Sequence, residues 1–130
     1  MDARSDGHTE NFSPYARAGD FVFVSGQAAV DESGKIVGGT FEEQMRLSVE
    51  NVCAVLASAG LALSDVVRVG AYVQDLEDIE QYNRIYPEYF RPPRPARTTI
   101  TNCLGGSVKF EIDVVAFAPS GRSSPAGGAE

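Results

Sequence analysis

The 130-residue chain is 43% apolar and carries 11 basic against 18 acidic residues, a net charge of −7. That size fits one compact domain burying roughly two-thirds of its unfolded surface, and that charge works against a counterion-release grip on phosphate backbones, so nucleic acid is not an expected partner. The single histidine, His8, stands in a polar lead, which removes the key residue of histidine triads, histidine-rich metal sites and imidazole acid–base catalysis.

Cys53 and Cys103 lie fifty residues apart with no C-x-x-C spacing, so reduced thiols are expected. The opening MDARSDGHTENF lacks an apolar core, and no stretch approaches the run of about eighteen apolar residues that a membrane span requires. A soluble, cytoplasmic protein is the expectation. The tail Pro119 to Glu130 is rich in Ser, Gly, Pro and Ala, with nothing to bury against its ordering entropy. We therefore expect a disordered lead over residues 1–12, a domain over 13–118 and a disordered tail over 119–130.

Tyr15 to Ala18 and Phe21 to Val24 flank Gly19-Asp20, a Gly-first pair that suits a type II′ hairpin. Beyond Ser25-Gly26-Gln27, the segment from Ala28 to Val37 reads as an exposed loop or weak hairpin around Asp31 to Gly34. Thr40-Phe41-Glu42-Glu43 fits a capping box, Met45, Val49, Val52, Cys53 and Leu56 follow at helical spacing, and Gly60 offers a stop. Arg68 to Gln74 alternates as a strand, with Val69, Ala71 and Val73 on one face, so a helical crossover precedes it. Asp78 is placed to cap a second helix with Ile79, Tyr82, Asn83 and Tyr86 on one face, and Pro87 is expected to kink or end it. The prolines of Arg91 to Arg97 exclude helix and make a stiff connector. Thr98 to Cys103 is strand-like, Leu104 to Ser107 turns, and Val108 to Ala118 is the longest strand.

That last strand has two unlike faces. Val108, Phe110, Ile112 and Val114 share one, and Lys109, Glu111, Asp113, Val115 and Phe117 share the other. Two helices cover only one face of a sheet, so the other is either partly solvated or buried against a second copy of the chain.

Three arginines, Arg91, Arg94 and Arg97, fall within seven positions of this acidic chain. An arginine held on a stiff connector at a strand start suits a carboxylate, whose two oxygens match the guanidinium fork. A solvated basic loop paired with surface carboxylates is the alternative from spacing alone. Glu111 stands mid-strand between Phe110 and Ile112, where a carboxylate is wet, paired or functional. It either holds a water or joins a cross-strand ion pair. Tyr15 and Asn83 read equally as core groups with satisfied polar ends or as site residues. Cys53 reads as packing, and Cys103 has no basic neighbour in sequence to activate it.

Taken together, Ser13-Pro14-Tyr15, Val24-Ser25-Gly26-Gln27, Asn51 with Leu56-x-x-Ala59-Gly60-Leu61, Asn83-x-x-Tyr86, Pro95-Ala96-Arg97-Thr98 and Phe110-Glu111-Ile112 resemble the reactive intermediate deaminase family, the Rid or YjgF/YER057c proteins. The resemblance implies an α/β (α+β) chorismate-mutase-like fold, a mixed β-sheet with two helices packed on one face, assembled as a homotrimer with sites between subunits. It implies hydrolysis of 2-aminoacrylate-type enamines and 2-imino acids to 2-keto acids and ammonia, with no cofactor and no metal. The alternatives are a non-hydrolytic trimer that binds small carboxylates and a paralogue serving a different imine. By resemblance Arg97 binds the substrate carboxylate, Glu111 holds the attacking water, and Tyr15, Ser25, Gly26 and Asn83 line the pocket. The family often has Ser-Cys or Ser-Ala where this chain has Thr98-Thr99, so Thr99 takes the place of a cysteine and joins the substrate-binding set. The chain also differs at Ala16-Arg17 and Leu104-Gly105, and its segment from Arg97 to Leu104 is one residue shorter.

Overall fold

The computed structural model describes residues 11–119. His8 and nearly all of the lead and tail expected to be disordered lie outside the described residues. Between them run β1 (Tyr15–Ala18), β2 (Phe21–Ala28), α1 (Phe41–Ser58), β3 (Val66–Val73), α2 (Ile79–Tyr89), β4 (Ala96–Thr101) and β5 (Phe110–Phe117). Short 3-10 turns at Leu63–Asp65 and Leu76–Asp78 lead into β3 and α2.

The strands form one sheet in the order β1-β2-β5-β3-β4. β3 and β4 pair in parallel across α2, and every other neighbouring pair is antiparallel. Since β2 and β3 both oppose β5, they run parallel to each other, with α1 as their connection. Both helices pack on the same face. There, Val22, Val24, Val69, Ala71, Val73, Phe110, Ile112 and Val114 meet Met45, Val49, Val52 and Leu56 of α1 and Tyr82 and Ile85 of α2 in one core. The sheet with two helices on one face matches the architecture expected from sequence.

α1 begins and ends on the expected signals. The Thr40 hydroxyl accepts from the Glu43 N–H at 3.1 Å, and the Glu43 carboxylate accepts from the Thr40 N–H at 2.8 Å, closing the capping box. At the other end Gly60, with φ of 79°, donates to Ala57, and Leu61 donates to Leu56. This is the Schellman pairing, which needs the left-handed backbone that glycine adopts freely.

Elsewhere the observed boundaries differ for identifiable reasons. β2 continues past Val24 to Ala28 because Ser25 and Gly26 form a bulge: Val24 pairs with Val114, whereas Gln27 pairs with Ile112. The weak hairpin is real but consists of a single bridge between Val30 and Ile36. Pro87 lies inside α2 rather than ending it. Its missing N–H removes one bond, to the carbonyl of Asn83, at an exposed position near the helix end. Asp78 precedes α2 without a side-chain capping bond, and Asn83 is exposed rather than part of the buried stripe. β4 starts at Ala96, the first residue after the last connector proline, and ends at Thr101. β5 starts at Phe110 because the two residues before it are engaged elsewhere. Val108 donates to Gly105 within the turn, and the Lys109 N–H goes to the Gln44 side chain.

Gln44 is a buried polar group that sequence reasoning passed over. Its side chain donates to the Ser107 carbonyl at 2.9 Å and accepts from the Lys109 N–H at 2.8 Å, tying α1 to the turn before β5. Replacing it with alanine leaves two backbone groups without partners in an enclosed site. We expect Gln44→Ala to cost about 2–4 kcal/mol and Thr40→Ala about 1 kcal/mol. Urea unfolding at one fixed protein concentration checks both the magnitudes and their order.

Candidate active site

Period-two alternation decides where each candidate residue points. Arg97 pairs with Val69 and Thr99 with Ala71 in the parallel β3–β4 ladder. Val69 and Ala71 are fully buried beneath the helices, so Arg97 and Thr99 rise on the helix face, at the sheet edge. Glu111 pairs with Tyr72, and Asp113 with Gly70, on the face that no helix covers. Within one chain, the arginine and the glutamate are on opposite sides of the sheet.

On the helix face, Arg97 lies against two tyrosines of α2. Its Cζ is 4.9 Å from the centroid of Tyr82 and 4.6 Å from that of Tyr86, a spacing at which a guanidinium is attracted by the ring faces. Tyr82 and Tyr86 meet edge-on at 5.9 Å, and Tyr86 stacks on Phe90 at 4.6 Å. The platform is therefore rigid, and the Arg97 side chain is exposed on top of it. Among the described residues no carboxylate pairs with Arg97. The solvated, ion-paired alternative for this arginine is not what the fold presents. The Tyr82 and Thr99 hydroxyls are 2.7 Å apart. Burial raises the Tyr82 pKa against the opposing influences of Thr99 and Arg97. Burial likewise pushes Tyr86 up to about 12, and its hydroxyl, buried, has no hydrogen-bond partner among the described residues. Asn83 stands on the exposed flank of the same helix, between these two tyrosines in sequence. Arg94 bonds back to the Phe90 carbonyl at 2.9 Å, which stiffens the connector leading to Arg97.

On the open face, Glu111 crosses the β2 bulge. A Cβ at Gly26 would overlap the Glu111 carboxylate, so glycine is what leaves room for it. Ser25 is fixed beside it, with its N–H on the Pro14 carbonyl at 2.9 Å and its hydroxyl on the Ser13 carbonyl at 2.6 Å. Tyr15 pairs with the buried Val24 just before the bulge and packs against the core, so it turns to the helix face and away from Glu111. Among the described residues Glu111 accepts no hydrogen bond and meets no cation, so the cross-strand ion pair with Lys109-like neighbours does not form. Burial first, and then the charge of Asp113, hold the Glu111 carboxyl above the ordinary glutamate range. Asp113 instead accepts from the Tyr72 hydroxyl at 2.7 Å, a bond that contributes most to pushing Tyr72 up to about 12.

The residues predicted from sequence thus form two half-sites, Arg97, Thr99 and Asn83 at the α2–β4 edge and Ser25, Gly26 and Glu111 around the bulge, with Tyr15 next to the bulge but turned to the helix face. β1 and β4 are the two edges of the sheet, four strand spacings of about 4.8 Å apart, or roughly 19 Å. Two concavities of the single chain contain neither half-site. One, of about 620 Å³, is lined by residues including Asp31 and Asn51, and another, of about 160 Å³, lies between Leu63, Tyr89 and the connector prolines. Among the described residues no group of three His, Cys, Asp or Glu side chains is arranged to hold a metal, and no helix is long and apolar enough to cross a membrane. Cys53 is half-buried, with its thiol pKa raised by burial, and Cys103 is exposed beyond the end of β4.

The family model described as Endoribonuclease L-PSP matches residues 5–118. The chain belongs to this family, the Rid or YjgF proteins. It is 40% identical over 109 residues to a RutC family protein of Pyrococcus abyssi, covering 80% of this chain and 86% of that one. The crystal structure of E. coli TdcF with bound serine superposes with a TM-score of 0.77 at 30% identity, covering 90% of this chain and 95% of TdcF. A Rid family protein of Yersinia pestis, YyfA, of unknown function, gives 0.76 at 28% identity over 82% of this chain and 86% of its own. Rid membership agrees with the resemblance read from the sequence motifs. Tyr82, Tyr86 and Tyr72 were missed there as site groups, because an apolar helix face and an alternating strand account for them without one.

The state of Glu111 is open to measurement. A carboxyl with a raised folded pKa binds more protons folded than unfolded, so stability falls as pH rises from the ordinary glutamate value through the folded one. Glu111→Gln removes that loss. The variant is expected to match wild type in urea unfolding at acid pH and to become the more stable of the two as pH rises to 7, where the gap levels off.

Proposed function

We propose that this protein is a cofactor-independent hydrolase that converts 2-imino acids, and the enamines in equilibrium with them, to 2-oxo acids and ammonia. Its sites lie between the subunits of a homotrimer. The observation that carries this reading is Arg97, an exposed guanidinium fork with no counter-ion among the described residues, seated on two tyrosine rings. Such a group suits a carboxylate bidentately. The bound serine in E. coli TdcF, itself a small amino acid with a carboxylate, supports the same ligand class.

The reaction asks little of the protein. An imine carbon is already electrophilic, so orientation and one positioned water suffice. With the carboxylate clamped by Arg97, a water accepted by Glu111 adds to C2, forming a C–O bond while the nitrogen takes up a proton. The carbinolamine then forms the C=O bond as the C–N bond breaks and ammonia leaves. A desolvated carboxylate with a raised pKa is suited to carrying a proton between water and nitrogen.

The separation of the half-sites supports a site shared between copies. Arg97 and Glu111 occupy opposite faces of the sheet, and Tyr15 the far edge, so one small molecule meets both sets only where one copy's α2–β4 edge approaches another copy's bulge. The uncovered face also ends in an apolar corner, with Phe21, Phe23 and Phe117 each more than 40% exposed, which favours burial against a second copy. The description Endoribonuclease L-PSP raises a second activity, RNA cleavage, but a net charge of −7 opposes an anionic polymer.

Two experiments test the proposal. With 2-aminoacrylate generated in situ by an amino acid lyase, wild type is expected to accelerate release of the 2-oxo acid. Arg97→Ala should lose about 10- to 100-fold in kcat/KM. Release at the no-protein rate in every sample rejects the hydrolase, and saturable 2-oxobutyrate binding without turnover identifies a carboxylate-binding trimer instead.

The second experiment mixes two impaired variants, Arg97→Ala and Glu111→Gln, by unfolding and refolding them together at equal concentration. Random assembly restores both residues at about one site in four, so about a quarter of wild-type activity is expected. Activity no higher than that of the separate variants places both residues in the same subunit's site and removes the interface.

A further inference from the structure

The Tyr82–Thr99 hydroxyl pair joins the helix carrying the arginine's platform to the strand carrying the arginine itself. Tyr82 is fully buried, its ring lies 4.9 Å beneath the Arg97 guanidinium, and its hydroxyl is 2.7 Å from that of Thr99. A hydroxyl pair holds two protons, and only one lies between the oxygens. A phenol is the stronger acid of the two, and a guanidinium beside it strengthens it further as a donor. Either oxygen can donate across the pair, and the greater acidity of the phenol favours Tyr82 as the donor to Thr99. With Tyr82 donating, the Thr99 proton is left pointing away from the pair, and Thr99 is the partly exposed member.

Arg97 and Thr99 lie two residues apart on one face of β4, about 7 Å along the strand. A long fork and a short hydroxyl at that spacing suit the two ends of one small molecule. We propose that Tyr82 is the positioning residue of this site. Its ring seats Arg97, and its hydroxyl makes Thr99 a one-way donor to the acceptor on C2 of the ligand, a carbonyl oxygen or a neutral imine nitrogen. The ligand class is then a 2-oxo or 2-imino acid in preference to a plain carboxylate. This rests on the reading of Arg97 as the carboxylate clamp.

Titration calorimetry of the full chain with 2-oxobutyrate and with butyrate tests the two separately. Wild type is expected to prefer 2-oxobutyrate. Tyr82→Phe and Thr99→Val should each reduce that preference about 3- to 10-fold, the range of one neutral hydrogen bond. The double variant should lose no more than either single one, because both act through the same proton. Butyrate binding should survive Tyr82→Phe, which keeps the ring, and weaken in Tyr82→Leu, which does not. A purely structural role for Tyr82 would weaken both ligands alike and would not be coupled to Thr99. An undiminished preference in Tyr82→Phe, or losses that multiply in the double variant, overturns the inference while leaving the clamp standing. If wild type binds neither ligand, the clamp itself falls. Should Tyr82→Phe fail to fold, Thr99→Val decides, since an unchanged preference there removes the donor.

Discussion

Two helices cover one face of a five-stranded sheet, and the side on which each candidate residue stands is set by that limit. On the covered face, side chains at alternate positions of β2, β3 and β5 are sealed beneath α1 and α2. On the other, the intervening positions present Glu111, Asp113, Tyr72 and a phenylalanine-rich corner to the outside. A strand cannot turn Arg97 and Glu111 to the same side without changing register, because parity along each strand is fixed by the buried residues it must supply. The fold thus leaves Arg97 and Glu111 on opposite faces of one chain.

The two half-sites hold opposite charges by different means. Arg97 keeps its charge in an exposed position and is oriented by aromatic faces rather than by a carboxylate. Its rotational freedom is already reduced by the two rings, and among the described residues no anion pairs with it. Glu111 is held in a partly desolvated position beside a second carboxylate, where its ionised form is disfavoured. Such a group destabilises the isolated chain and is poised to exchange a proton. Retaining a strained charge of this sort in a site is a familiar exchange of stability for activity.

Much of this was legible before the structure. The capping box at Thr40, the stop at Gly60 and the alternation of β5 each rest on local chemistry, and each matches an observed element. The two faces of β5 also placed Glu111 apart from the core. What sequence could not supply was relative position. Nothing local distinguishes Tyr82 as core from Tyr82 as the seat of an arginine fifteen residues later, since an i, i+4 tyrosine pair satisfies a buried helix face either way. Asn83 was assigned to that face because the period admits it, yet it turns outward by one residue step. Ser25-Gly26 reads as a loop because the alternation breaks there, and only pairing with β5 reveals a strand that continues through a bulge.

That bulge also governs where the chain tolerates changes in length. The extra residue between Val24 and Gln27 resets the alternation, so that Val24 and Gln27 are both buried although three positions apart. Removing either Ser25 or Gly26 would restore plain alternation, with Val24 and Gln27 two positions apart and still on one face, but losing Gly26 would close the gap through which Glu111 passes. Surface loops such as Asp31 to Gly34 absorb insertions and deletions at small entropic cost. At Ser25-Gly26 a single-codon deletion would spare the facing of the strand and fall instead on the space beside the Glu111 carboxylate.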